Sequence, residues 1–387
     1  MSGGDIIVRL AARGDGVTGD GRYVPMAAPG DRIAADGAII AGPYHQTPPC
    51  RHFLECGGCQ LQHVDDAAYA DYLRDRIASA LAAQRVPEPE IRPPYLSPPR
   101  SRRRAQLKVA GGAVGFNALA SHRIVDMRDC HVLRPELFAL VAPLRRLVTR
   151  RAGATMTLAD QGVDLLLEGV AAEGLAEIEA LTGFARTQGL ARLAIDDGYG
   201  PQTIWEPTPV TVTLSGAPVA LPHGAFLQAT ADGEAALVAA VREAVGEAAV
   251  VADLFAGLGT FALALSCRIY AAEGARDAVL ALKGAGRGLL VDHRDLFRRP
   301  LEVDELNRFA AVLLDPPRAG AKEQAARLAA SRVPRIAYVS CNPATFARDA
   351  AMLVAGGYRL EWVQPVGQFR WSTHVELAAC FTRPGAL

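Results

Sequence analysis

The feature that most constrains this chain is a repeating unit toward its C-terminal end. Ala249-Val250-Val251-Ala252-Asp253-Leu254 is a short apolar run, followed by the Gly-rich turn Phe255-Ala256-Gly257-Leu258-Gly259-Thr260. The pattern then predicts a helix over Phe261 to Ser266. Further apolar runs fall at Arg268 to Ala272, Gly288 to Val291, Ala310 to Leu314 and Arg335 to Val339. Apolar runs separated by crossover helices describe strands buried on both faces, hence a parallel sheet covered by helices. From about Pro222 onward the chain therefore reads as a Rossmann-like α/β domain.

At 387 residues the chain is too long for one ordinary domain and predicts two or three. Residues 5–42 alternate short β-type runs with turns: Ile6 to Leu10, a turn at Gly14 to Val17, Arg22 to Pro25, and Arg32 to Ala34. A small β-barrel fits that pattern. It resembles the TRAM domain, an RNA-binding module of oligonucleotide-binding-like shape, through I-x-R-L-A-x-x-G-x-G-V and V-P-x-x-x-P-G-D. The middle of the chain reads as α+β. Helices are expected near Ala67 to Gln84, Pro135 to Arg150 and Gly174 to Gly189. A Pro-rich joint spans Pro87 to Pro99, and strands fall at Leu107 to Val109, Gly115 to Phe116, Thr155 to Leu158 and Val163 to Leu167. The division expected is 1–45, 46–221 and 222–387.

No run is long and apolar enough to span a bilayer, and the start lacks the basic and apolar regions of a signal peptide. The expectation is a cytoplasmic monomer with no membrane partner. Disulfides are not expected in that compartment, so the seven cysteines must serve other purposes. The net charge is zero, but its distribution is uneven. Between Pro94 and Pro135, Arg100, Arg102, Arg103, Arg104, Lys108, Arg123, Arg128 and Arg134 face only Asp126 and Asp129. That segment reads either as a phosphate-binding surface or as a solvated basic face.

The chemistry concentrates at three points. Tyr338-Val339-Ser340-Cys341-Asn342-Pro343 ends an apolar run on a cysteine, and Glu376 lies downstream in His374-Val375-Glu376. Together they offer a nucleophile and a base, and the C6 of a uracil ring accepts a soft nucleophile. The glycines of the 257–259 turn let a ligand approach the backbone, and Glu273, at the tip of the next strand, can accept from ribose hydroxyls. The turn lacks the third small residue of a dinucleotide loop, so S-adenosylmethionine fits better than NAD. Asp295 follows the third strand, where an adenine would lie. Asp315-Pro316-Pro317-Arg318 ends the fourth strand on the ligand side, and Arg318 stands where an enzyme acting on an amine would carry a stacking aromatic.

The order D-L-F-A-G-L-G, D-P-P-R-A-G, S-C-N-P and H-V-E resembles the class I RNA uracil-C5 methyltransferases that make 5-methyluridine. The resemblance places that family's nucleophile on Cys341 and its base on Glu376. It places S-adenosylmethionine contacts on Gln228, Phe255, Thr260, Glu273, Asp295 and Asp315. Two departures stand out: a short connection from Glu273 to Asp295, and Phe369-Arg370-Trp371-Ser372 where the family has F-P-x-T. The resemblance leaves open a transfer-RNA substrate and a non-catalytic RNA-binding protein that keeps the fold.

Cys50, Cys56, Cys59 and Cys130 form a second constellation. Four thiolates permit either zinc or an iron–sulfur cluster. The family resemblance favours a [4Fe–4S] cluster, found in the ribosomal-RNA branch, and with it a 23S ribosomal RNA substrate; the specific uridine is not readable. Cys267 and Cys380 have apolar neighbours and read as core.

Overall fold

The computed structural model describes residues 6–385; Met1 to Asp5, read above for a targeting signal, lie outside them. The chain begins with a three-stranded antiparallel sheet, β1 (Ile7–Leu10), β2 (Gly16–Thr18) and β3 (Tyr23–Val24), and a hairpin of β4 (Arg32–Ile33) and β5 (Ile39–Ile40). An isolated bridge between Ile6 and Arg32 joins the two. The turn expected at Gly14 to Val17 is shorter, because Gly16 and Val17 already pair with β1 and β3.

Helix α1 (Asp66–Ala83) is capped by the Asp65 carboxylate, which accepts from the Ala68 amide at 2.9 Å. After it come β6 (Glu90–Ile91) and β7 (Tyr95–Leu96). A six-stranded sheet follows, in the order β13-β12-β11-β10-β8-β9. Its strands are β8 (Arg104–Ala110), β9 (Ala113–Gly115), β10 (Ala152–Ala159), β11 (Gly162–Glu168), β12 (Arg192–Asp196) and β13 (Gln202–Trp205). It is covered by α2 (Pro135–Ala139), α3 (Val141–Leu147) and α4 (Leu175–Thr187). The single helix expected over 135–150 is thus two short ones. A hairpin, β14 (Thr211–Leu214) and β15 (Ala217–Ala220), leads to α5 (Ala231–Val245).

The largest sheet has nine strands in the order β18-β17-β16-β19-β20-β22-β21-β6, with β7 also on β21. Strands β16 (Val250–Leu254), β17 (Arg268–Glu273), β18 (Leu290–His293), β19 (Ala311–Leu314) and β20 (Arg335–Ser340) are mutually parallel. Strand β21 (Arg359–Gly367) and β22 (Glu376–Thr382) close the far side, β22 running antiparallel to both neighbours. Side chains alternate between two cores. Ala252, Val312 and Leu314 pack toward α8 (Lys322–Ala330) and α9 (Pro343–Ala355); Val251 and Leu313 pack toward α5 and α6 (Arg276–Gly284). Burial on both faces explains the unbroken apolar runs. The short α7 (Val303–Leu306) precedes β19.

Two further expectations are corrected. The helix predicted over Phe261 to Ser266 is only a 3₁₀ turn, Ala262–Ala264. The Pro-rich joint is no free linker: β6 and β7 add to the edge at β21, where a strand start tolerates proline. Among the described residues no helix is long and apolar enough to cross a membrane.

Candidate active site

The sequence Ser340-Cys341-Asn342-Pro343 is a strand-to-helix junction. Ser340 ends β20; Asn342 caps α9, accepting from the Ala344 amide at 3.1 Å; and Pro343 takes the first helical position, where no amide is needed. Cys341 is left at the sheet's C-terminal edge, half-buried. The ladder sets its neighbour. Ser340 pairs with Leu377 across an antiparallel step, so the next step faces Cys341 toward Glu376. Glu376 is itself paired with Val366 of β21. Asp315 follows β19, the strand beside β20, and shares the same edge.

Burial and neighbouring carboxylates raise the proton affinities of all three. Burial, then the Asp315 charge, pushes the Glu376 carboxyl up to about 8; the Gln368 amide and Arg318 work the other way. Asp315 is pushed up to about 7 by burial and by Glu273. The Cys341 thiol is pushed up to about 11 by burial, Glu376 and Asp315, against the pull of Arg318. Near neutral pH the carboxyls are therefore poised to exchange protons, and the thiol is held back until a cation or a substrate changes its surroundings.

At the other end of the edge, Gly257 and Gly259 adopt positive φ, +54° and +91°. A Cβ on Gly259 would meet Leu282 at 2.4 Å, whereas one on Gly257 would meet nothing within 4 Å. Gly259 is therefore required by packing, and Gly257 by its turn, with open space above it. Glu273 braces that turn, accepting from the Gly257 amide at 2.9 Å and the Ala275 amide at 2.7 Å. Asp253 is fully buried beneath, and burial with Asp315 and Glu273 pushes it up to about 8. Neither of its oxygens has a partner in hydrogen-bond geometry; the nearby Ala262 amide offsets little of the burial. Phe255 and Phe297 form an aromatic wall with centroids 5.4 Å apart. Asp295 is exposed and accepts from the Phe297 and Arg298 amides at 3.0 and 3.3 Å, which sets the loop that presents Phe297. Thr260 is half-buried beside the turn.

Gln228 is buried, and its side-chain carbonyl accepts from Gln368 at 2.7 Å; Gln368 in turn accepts from the Ala229 amide at 2.9 Å. No local pattern marks Gln368 in the sequence, since its partner lies 140 positions away. Arg318 meets His374 Nδ1 at 2.7 Å, and its carbonyl accepts from Asn342 and Thr345, which ties the D-P-P-R loop to α9. Phe226, two residues before Gln228, is 64% exposed, an aromatic face with no core to explain it.

The basic segment is not an open cationic face at its centre. Arg103 pairs with Glu234 at 2.5 Å and also donates to the Gln228 carbonyl. Arg102 lies over the rings of Phe116 and Phe369 and donates to the Arg104 carbonyl. Arg104 reaches the Gly224 carbonyl at 3.3 Å. These arginines lace the six-stranded region to the Gln228 segment. Arg123, Arg128 and Arg134 are paired with Glu55, Asp126 and Glu136.

Cys50, Cys56, Cys59 and Cys130 line one cavity, walled by Phe53, Phe116, Val125, Met127 and Val132. Burial raises all four thiols, Cys59 to about 12, and the cysteines raise one another. Among the described residues no group of three or more side chains is drawn tightly enough for a single metal ion. A lone zinc needs sulfurs about 2.3 Å from one centre. The four thiols share one largely apolar cavity and are the residues there that could hold a metal group. Cys267 and Cys380 sit in or against the core, as expected.

The family profile of tRNA (Uracil-5-)-methyltransferase matches residues 290–383. An uncharacterized RNA methyltransferase of Zymomonas mobilis is 53% identical over 97% of this chain and 99% of its own length. The 23S rRNA (uracil-1939) C5-methyltransferase of Halomonas elongata is 31% identical over 98% of this chain and 89% of its own. The crystal structure of the Pyrococcus abyssi tRNA (uracil-54, C5)-methyltransferase with S-adenosyl-L-homocysteine shares the fold. It superposes with a TM-score of 0.74 at 22% identity, covering 98% of this chain and 99% of that one.

Proposed function

Since the chain belongs to the RNA uracil-C5 methyltransferase family, an S-adenosylmethionine-dependent α/β fold, we propose that it methylates C5 of a specific uridine in 23S ribosomal RNA through Cys341 and Glu376. The observation that carries this reading is the junction of β20 and β22, which faces a cysteine toward a buried carboxyl on one sheet edge. The ribosomal substrate is supported by the Halomonas relative, and transfer RNA is the alternative.

The target uridine leaves its stack to reach the edge. Cys341, at the N-terminus of α9, gives up its proton to solvent and adds as the thiolate to C6, which makes C5 electron-rich; the helix end and Arg318 favour the thiolate. When bound, S-adenosylmethionine supplies the methyl group to C5. Glu376 then takes the C5 proton, and the electron pair left behind re-forms the C5–C6 double bond and expels Cys341. Glu376 must be ionised to act, and its raised proton affinity makes it a stronger base. Asp315 orients the ring. Glu273 would accept from the ribose, Phe255, Thr260 and Gln228 would contact the cofactor, and Asp295 would meet the adenine. The unpartnered Asp253 and the open space over Gly257 suit a cationic ligand with a polar ribose.

The four cysteines hold a [4Fe–4S] cluster in this reading, with zinc as the alternative; methyl transfer is redox-neutral, so the centre shapes the RNA-binding region. The chain divides into a TRAM-like module over 1–45, a middle region over 46–221 and the methyltransferase domain over 222–387. It acts as a cytoplasmic monomer. Incubation with S-adenosylmethionine and separate ribosomal and transfer RNA from a deletion strain, followed by mapping of 5-methyluridine, tests the activity and the substrate. Methylation confined to transfer RNA contradicts the ribosomal assignment, and methylation of neither contradicts the activity. Anaerobically purified protein should be brown; colourless protein with stoichiometric zinc contradicts the cluster.

A further inference from the structure

We infer that Trp371 is a positioning residue whose indole, planted in the core of the cysteine-bearing region, holds the loop that delivers Glu376 to the active site. The inference rests on the reading of Glu376 as the base. The loop runs from Gln368 to Val375, between the end of β21 at Gly367 and the start of β22 at Glu376. Hairpin loops of two to five residues are the rule, and longer ones move unless something pins them.

Several contacts pin this one, and they converge on its tip. Trp371 is 4% exposed and packs in the core of the six-stranded region; every other member of that core comes from residues 59–205, Cys59 and Cys130 among them. The Trp371 carbonyl accepts from two successive amides, Gln60 at 2.8 Å and Leu61 at 2.9 Å, immediately after Cys59. The Tyr69 hydroxyl, buried on α1, lies 3.2 Å from both the Phe369 and the Ser372 carbonyls. Arg370 lies over the Trp371 ring at 4.8 Å and reaches Asp66 and the Ser97 carbonyl. Trp371 itself has φ +60°, a conformation that a bulky residue keeps only where its surroundings hold it. Its indole nitrogen has no hydrogen-bond partner, so packing does the holding.

The base of the loop is the active site. Gln368 stands on one side, against Gln228 and the Ala229 amide. His374 and Glu376 stand on the other, where Glu376 faces Asp315, Arg318, Gln368 and Cys341, and His374 faces Arg318, Phe369 and Arg102. Arg370 stands where F-P-x-T has its proline, and Trp371 follows it at the unrestricted position. A proline stiffens a loop through its own ring; here an indole anchored in a neighbouring core performs the same task. The strand-side placement of the base thus depends on the order of the segment that follows Cys59.

Trp371→Gly and Trp371→Phe separate the contributions, because glycine accepts the positive φ without strain and phenylalanine keeps an aromatic anchor. Trp371→Gly should lower kcat at least about tenfold while KM for S-adenosylmethionine changes less than about twofold. Freed of its burial, Glu376 should titrate lower, which moves the acid limb of the pH–rate profile down by about one pH unit. Trp371→Phe should restore both. RNA carrying 5-fluorouridine at the target should still be trapped covalently by Trp371→Gly, since that adduct needs Cys341 and fluorine cannot leave as a proton does. Tyr69→Phe, which removes one hydroxyl, should shift kcat and the pH limb in the same direction by less. Unchanged kcat and pH limb in Trp371→Gly overturn the inference, as does joint loss of trapping and cofactor affinity, which marks a purely structural role. If Trp371→Gly does not fold, an unaltered pH limb in Tyr69→Phe overturns it. Glu376→Gln, run in parallel, tests the premise separately: wild-type turnover there removes the base assignment, whatever Trp371 does.

Discussion

The Arg103–Glu234 pair and the carboxyls Asp253, Asp315 and Glu376 are all ionisable groups largely withdrawn from water, and the fold treats the two sets in opposite ways. Arg103 meets Glu234 at 2.5 Å and a backbone carbonyl as well, so its charge is matched. The three carboxyls are gathered at one sheet edge, each is pushed up to between about 7 and about 8, and Asp253 has no hydrogen-bond partner. Matched charge fixes the orientation of one region on another. Unmatched carboxyls gathered together are costly unless a ligand completes them, and in the proposed function they are where a cation and a proton are handled.

The contrast breaks first on stability. Arg103→Ala leaves Glu234 buried without its partner and should cost about 3–5 kcal/mol in urea unfolding. Cys341→Ala, at a half-buried position, should cost under about 1 kcal/mol while abolishing methylation. A loss under about 1 kcal/mol for Arg103→Ala would make the pair no different from a surface one.

The next effect is on rate. Because Glu376 and Cys341 must both be ionised, the rate under limiting substrate should rise steeply with pH up to about 8, where Glu376 titrates, and less steeply beyond, as the thiol alone remains to ionise. A profile flat from pH 6 to 9 contradicts an unmatched carboxyl as the base.

A smaller effect concerns stability against pH. The folded-state values of Asp253, Asp315 and Glu376 lie above those of an unfolded chain, near 4. Their contribution is therefore complete below about pH 4 and is lost as pH rises through about 7 to 8. The melting temperature of the ligand-free protein should fall from pH 6 to 9, and Glu376→Gln should flatten that fall. A rise over the same range contradicts the sign.

The smallest effect is on RNA affinity. Arg103→Lys keeps a cation against Glu234, and it should leave the slope of RNA affinity against salt unchanged. Loss of a phosphate contact would change the slope by about 0.7 on a single strand or 0.9 on a duplex. A change of that size would return Arg103 to the RNA face.

The parallel sheet was legible because strands buried on both faces must be apolar throughout, as Val250–Leu254 and Ala311–Leu314 are. The Cys341 junction was legible because strand end, helix cap and first-turn proline are local. What failed was non-local. The Pro87 to Pro99 segment looked like a linker, and only the distant β21 shows that it adds strands. The helix after the Gly-rich turn shrank to Ala262–Ala264, since Leu265 turns extended before β17. The 102–104 arginines read as phosphate ligands or as a solvated face because Glu234, Gly224 and Phe369 are far away in sequence. Gln368 carried no local signal, and Trp371 stood out only as part of the segment that departs from F-P-x-T.

The most direct test of the central claim is a trapping experiment on the Glu376→Gln protein with S-adenosylmethionine and its target RNA. Removal of a general base slows turnover by about 10²–10⁴-fold. Addition and methyl transfer should still occur, so a methylated RNA–protein adduct should accumulate and survive denaturing electrophoresis. The adduct should be absent when Cys341→Ala is combined with Glu376→Gln. Wild-type turnover by Glu376→Gln, or an adduct that persists without Cys341, would contradict the account.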